Sequence, residues 1–175
     1  MAVSFRVPPA PPRDEPPLVA GERETLAGFL DYQRLTFARK VEGLSAQQLR
    51  LRSVEPSSMS LLGLARHLAD VERLWWRAGV AGEDVGPRYW SAQDPDGEFD
   101  RVDEADPAAD LAELATQQDL ARAVLAAHSL DDTFEHHRQG TTSVRWVLAH
   151  LLEEYARHNG HADLLRERID GATGE

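Results

Sequence analysis

Two histidines and a glutamate interrupt otherwise apolar helical seams, and together they make a donor set for a metal ion. In the stretch HLLEEYARHNGHADLL, residues 150–165, leucine and tyrosine recur at helical spacing. Glu154 and His158 stand where that spacing asks for leucine. Residues four apart lie about 40° apart around a helix and one turn apart along it, so both project to one side. His67, in LLGLARHLADVE, repeats the oddity beside Leu64, Leu68 and Val71. An unpaired carboxylate in an apolar interior is costly, so such a group is normally paired or bound to metal. Two imidazoles and a carboxylate are also the ligand set of catalytic zinc sites, which keep a fourth position open. The plain alternative is a solvated Glu–His pair beside a core histidine that makes one hydrogen bond.

The neighbours of this trio are read against it. His161 is three residues beyond His158 and can face the same cleft. It is a candidate fourth ligand, proton shuttle (hence catalytic) or orienting partner, or else a polar residue on the helix rim. His150 lies two turns before His158, a rise of about 12 Å, too far to share its metal directly. Glu72 and Arg157 read as inter-helix or surface pairs. Trp75, Trp76, Trp90 and Trp146 read as core or pocket walls, and His136 and His137 as exposed turn residues. Neither HExxH nor a pair of Glu-x-x-His motifs occurs, so zincin and ferritin-like di-iron ligand sets are missing and a mononuclear site remains.

Composition narrows the chemistry further. The chain of 175 residues has no cysteine, so any metal is held by imidazole and carboxylate, and a thiol nucleophile has to come from a cosubstrate. With 30 acidic against 19 basic side chains the formal charge is -11, which disfavours sequence-independent binding to nucleic acid or anionic lipid. No apolar run approaches the roughly 20 residues of a membrane span, and the N-terminus lacks an apolar signal core. We expect a cytoplasmic protein with no nucleic-acid or membrane partner, and a symmetric dimer through outer helix faces.

The elements that position these residues are helices. Residues 1–17, MAVSFRVPPAPPRDEPP, are proline-rich and predict an extended or disordered arm, with a single domain over 18–175. The first helix runs from Glu22 to about Glu42 on Leu26, Phe29, Leu30, Phe37 and Val41, followed by a short turn that Ser45 caps. The second is capped by Ser58 or Ser60, ends at Gly79 and carries the seam Leu61, Leu64, Leu68, Val71, Trp75. Residues 80–107 read as a long loop. The third helix runs from Pro107 to His128 on Leu111, Leu114, Ala121 and Leu125. A polar turn spans 129–141, and Thr141 or Thr142 caps a fourth helix lasting to Asp170–Gly171. Its buried side is Val144, Val147 or Leu148, Leu151, Glu154 or Tyr155, His158, Ala162, Leu165 and Ile169. Strand-like alternation is nearly absent. The expected fold is all-α, a four-helix bundle with a long crossover between helices two and three.

The segments SLLGLARHLADVERLWW and SVRWVLAHLLEEYARHNGHADLLRERIDG resemble the DinB-like metalloprotein superfamily, especially its mini-circle-protein branch, over roughly residues 20–171. The resemblance implies a four-helix bundle holding one divalent metal near one end. Members include mycothiol-dependent maleylpyruvate isomerase, whose N-terminal domain is the related part, and mycothiol or bacillithiol S-transferases. The helix-two histidine of the family falls on His67. The His-x-x-x-His pair of its last helix falls on Glu154 and His158, as in the His/Glu/His variant of the isomerase. The resemblance thus implies metal ligation by His67, Glu154 and His158, and it fixes a site better than a reaction.

Zinc is the default for this set, with nickel, iron and manganese open. The leading expectation is a thiol-dependent transferase in which the metal activates a low-molecular-weight thiol, such as mycothiol, toward a small electrophile. Two other classes stay open: a hydrolase that keeps water on the metal, and a non-enzymatic, stress-related metal-binding protein.

Overall fold

Serine, aspartate and glycine set the helix ends. The computed structural model describes residues 5–174, and the remainder of the predicted arm, 1–4, lies outside the described residues. Helix α1, Glu22–Val41, has Glu22 and Glu24 in its first turn and Arg39 and Lys40 in its last, each sign matched to the helix dipole. Gly43, at φ +73°, takes the left-handed turn that stops it. Ser45 and Gln48 form a capping box on the short α2, Ala46–Arg50. Ser60 caps α3, Leu61–Glu72, accepting the Gly63 N–H at 3.1 Å. Asp106 caps α5, Pro107–Ala127, with proline at its first turn. Ser143 caps α6, Val144–Asp170, and Gly171 at φ +78° closes it. The helix-four cap is therefore Ser143 and not Thr141 or Thr142.

Helix α3 runs without a break into a π-helical segment, Arg73–Val80. Its wider turn rephases the seam. Buried positions proceed Leu64, Leu68, Glu72, Trp76, whereas Val71 and Trp75, expected in the seam, are only partly buried. The last helix follows its expected side closely: Val147 and Leu148 are both buried, as are Leu151, Tyr155, His158, Ala162 and Leu165. On α1, Leu30, Phe37 and Val41 are buried, but Phe29 is 46 % exposed because α1 turns its Leu30–Arg34–Phe37 face to the core.

Helix α1 packs on α6, and α3 packs on both α5 and α6. The described residues are mostly helical, with one small sheet. Within the segment read as a polar turn, β1 (Thr133–His136) pairs antiparallel with β2 (Gly140–Ser143), Thr133 opposite Ser143 and His136 opposite Gly140. Four-residue strands with mostly exposed polar side chains leave no hydrophobic alternation to read. The long loop likewise contains a single helical turn, α4 (Gly97–Asp100), and a 3₁₀ turn at Val102–Glu104. The proline-rich segment is extended. Its Val7 is buried, bonded through its backbone to Leu44 and Gly43.

Candidate metal centre

Helices α3 and α6 bring His67, Glu154 and His158 together. Glu154 Oε2 lies 3.5 Å from His67 Nε2 and 3.3 Å from His158 Nε2, and the two imidazole rings are 4.7 Å apart. One ligand atom from each residue falls within 4.8 Å of the other two. Ligands at about 2.0–2.1 Å in a tetrahedral site sit roughly 3.3 Å from one another, so the spacing suits a cation among them. His67 Nε2 is buried and has no hydrogen-bond partner, an orphaned acceptor aimed into this space.

The other ring nitrogen of His67 is held. Its Nδ1 lies 2.8 Å from Glu98 Oε1 on α4, and Glu98 is 8 % exposed. That pairing keeps the proton on Nδ1 and leaves Nε2 free for a metal. Packing fixes α4 in place. Phe99 lies against Gly63 so closely that a β-carbon there would stand 2.7 Å from the ring, and the same ring stacks on His67 at 5.9 Å. Asp70 pins the loop's start by accepting the N–H groups of Arg88 and Tyr89 at 2.7 and 2.9 Å. Burial opposes a charge on His67, yet the carboxylates of Glu154 and Glu98 push its pKa up to about 9. The neighbouring imidazoles of His158 and His67 hold Glu154 well below the usual carboxylate range. Without a metal, the site is a proton-loaded carboxylate–imidazole cluster.

A family model for mycothiol S-transferase matches residues 25–171, most of the chain. The chain belongs to the mycothiol S-transferase family. The family is one of the DinB-like superfamily. No curated protein matches the chain.

In this family member the donors fit a divalent ion by number, type and spacing. His161 stands apart from them. Its Nδ1 is 3.3 Å from His158 Nδ1, on the side of that ring away from Glu154. Burial, with His158 and Arg157 nearby, depresses its pKa. It contacts His158 and not Glu154. His150 reaches Glu154 as well, but at the other oxygen, with Nε2 3.7 Å from Oε1. With Glu153 it forms a second His/Glu group on one helix, although Glu153 also pairs with Arg157.

Glu98 escaped the sequence reading. It lies among Asp94, Asp96, Asp100, Asp103 and Glu104, and no local pattern separates it from them. We expect Glu98→Leu to weaken metal binding by roughly 10- to 100-fold, as removal of a ligand's hydrogen-bonding partner typically does. Glu98→Gln, whose amide oxygen still accepts from Nδ1, should weaken it less. Competition titration against a chelating dye measures both, and equal affinity in Glu98→Leu and the parent removes Glu98 from the site.

Proposed function

We propose that this chain is a metal-dependent thiol S-transferase in which His67, Glu154 and His158 hold one divalent ion, zinc by donor type. Mycothiol supplies the sulfur, and a small electrophile accepts it. The reading takes α1, α3, α5 and α6 as a four-helix bundle with residues 80–107 as its crossover. The convergence of two Nε2 atoms and a carboxylate carries it, in a mycothiol S-transferase family member with no thiol of its own.

A bound divalent ion lowers the pKa of a coordinated thiol by several units, making thiolate available at neutral pH. The protein does the rest. Glu98 and His161 fix the ring orientations of His67 and His158. Glu154, anionic at neutral pH, balances part of the cation's charge. The thiol gives its proton to solvent, and its sulfur forms a bond to carbon. A leaving group then departs with its bonding pair, or a conjugated double bond takes up a proton.

Full-length, metal-loaded protein with mycothiol and a panel of electrophiles tests the reading. Turnover requiring both metal and thiol supports it. Turnover without thiol assigns a hydrolase, and metal binding without turnover assigns a non-enzymatic protein.

A pH dependence follows from His67. In the metal-free protein its raised pKa means that the charged ring stabilises the fold fully below about 6.5, and that this contribution is lost as pH rises through about 9. Metal affinity runs the other way, because the ion has to displace that proton. Apparent affinity should climb by up to tenfold per pH unit as pH rises toward about 9, then level off. Titrations in non-coordinating buffers measure the slope, and a flat profile removes His67 from the ligand set.

A further inference from the structure

A cleft of about 330 Å³ opens beside the metal centre, lined by His67 and Glu98 together with Trp75, Trp90 and Arg138. Its carboxylates are engaged. Glu98 holds His67, and Asp70 accepts two backbone N–H groups. Its cation is not: Arg138 is exposed and makes no ion pair among the described residues.

Arg138 is nevertheless built into place. It sits in the turn between β1 and β2, where His136 Nδ1 accepts the N–H groups of Arg138 and Gln139 at 3.3 and 3.2 Å. Gly140 supplies the positive φ of +74° that the turn needs. His136 then stacks on Trp75 at 4.5 Å and 14°, which ties the hairpin to the cleft wall. This corrects the sequence expectation for His136, which is half-buried against Trp75 rather than free in solvent. On a chain of net charge -11, an unpaired guanidinium over a tryptophan-walled cleft whose carboxylates are already engaged is a free partner for an anion.

We propose that this cleft is the electrophile site, and that it selects molecules with a flat apolar body and a carboxylate. Trp75 and Trp90 hold the flat body, and Arg138 pairs with the carboxylate through charge-assisted hydrogen bonds. This rests on the transferase reading for the fate of the bound molecule, and on the cleft alone for its recognition.

Binding and turnover separate the two. Quenching of tryptophan fluorescence by meta-nitrobenzoate and by its methyl ester reports binding to the metal-loaded full chain. The acid should bind roughly tenfold more tightly than the ester, the scale of one solvent-accessible charged hydrogen bond. Arg138→Ala should abolish that preference, Arg138→Lys should keep part of it, and Trp90→Ala should weaken acid and ester alike. Metal content should stay unchanged in all three. With a chloronitrobenzoate and its methyl ester as electrophiles and mycothiol as thiol, the preference should appear in KM rather than kcat. Equal binding of acid and ester, no binding of either, or a preference that survives Arg138→Ala overturns the assignment. Arg138-dependent binding without mycothiol-dependent turnover leaves the cleft assigned and sinks the transferase reading instead.

Discussion

His67→Ala and His158→Ala should each strip the purified protein of most of its metal while leaving its helical spectrum intact. Each imidazole offers one Nε2 to the same carboxylate oxygen, at 3.5 and 3.3 Å. Removing either leaves two ligands, and the loss should exceed the roughly 10- to 100-fold that loss of an outer hydrogen-bonding partner costs. Folding should survive, because neither ring is among the large apolar side chains of the core and His67 keeps 23 % of its side chain exposed. Glu154 gives a graded case. Glu154→Gln keeps an oxygen donor and should retain more metal than Glu154→Ala, although both lose the negative charge that balances the ion. Elemental analysis of protein purified without chelator, alongside circular dichroism, reads all four variants. Full metal occupancy in both histidine variants would falsify the ligand assignment, and lost helicity would show that the substitutions act on the fold.

The three converging residues were legible because helical periodicity is a strong local signal. A polar group at a seam position of an apolar helix is an exception that demands a reason, and His67, Glu154 and His158 were such exceptions. Glu98 carried no comparable signal. Its approach to His67 depends on Phe99 packing against Gly63, a contact between segments 36 residues apart that periodicity cannot encode. The seam of α3 failed in a physically specific way. A π-helical turn adds about one residue per turn to the spacing, so a seam extrapolated on a 3.6-residue period points to Trp75 when Trp76 is the one buried. Glu72, the last residue of α3 and one turn after Leu68, is also fully inside. The expected inter-helix pair is there, with Arg34, and Glu72 is also the centre of a buried polar network that periodicity does not reveal.

That network should dominate the fold's response to mutation. Arg34 on α1 meets Glu72 with two parallel hydrogen bonds, both 2.7 Å, and neither side chain is more than 3 % exposed. Tyr155 donates to Glu72 Oε1 at 2.9 Å and accepts from Gln118 at the same distance, so α1, α3, α5 and α6 share one hydrogen-bonded chain. Breaking a buried ion pair by deleting one partner costs about 3–5 kcal/mol, because the other charge is stranded. At this size each kcal/mol moves the melting temperature by roughly 2–4 °C, so a drop of about 10 °C or more is expected. The two deletions should differ. Glu72→Ala leaves Arg34 with Asp31, 2.9 Å away and partly in water, whereas Arg34→Ala leaves Glu72 with hydroxyl contact alone. Arg34→Ala should therefore be the worse variant. An isolated buried carboxylate has its pKa raised on folding, so the deficit should shrink as pH falls toward the ordinary carboxylate range. Arg34→Met with Glu72→Leu removes both charges and should recover much of the loss. Thermal melts of the metal-free forms decide it: single variants within about 2 °C of the parent would mean that less than about 1 kcal/mol rests on the pair. Because the network joins α3 to α6 one residue from Glu154, the destabilised variants should also hold metal less tightly as they approach their melting range, while binding normally well below it.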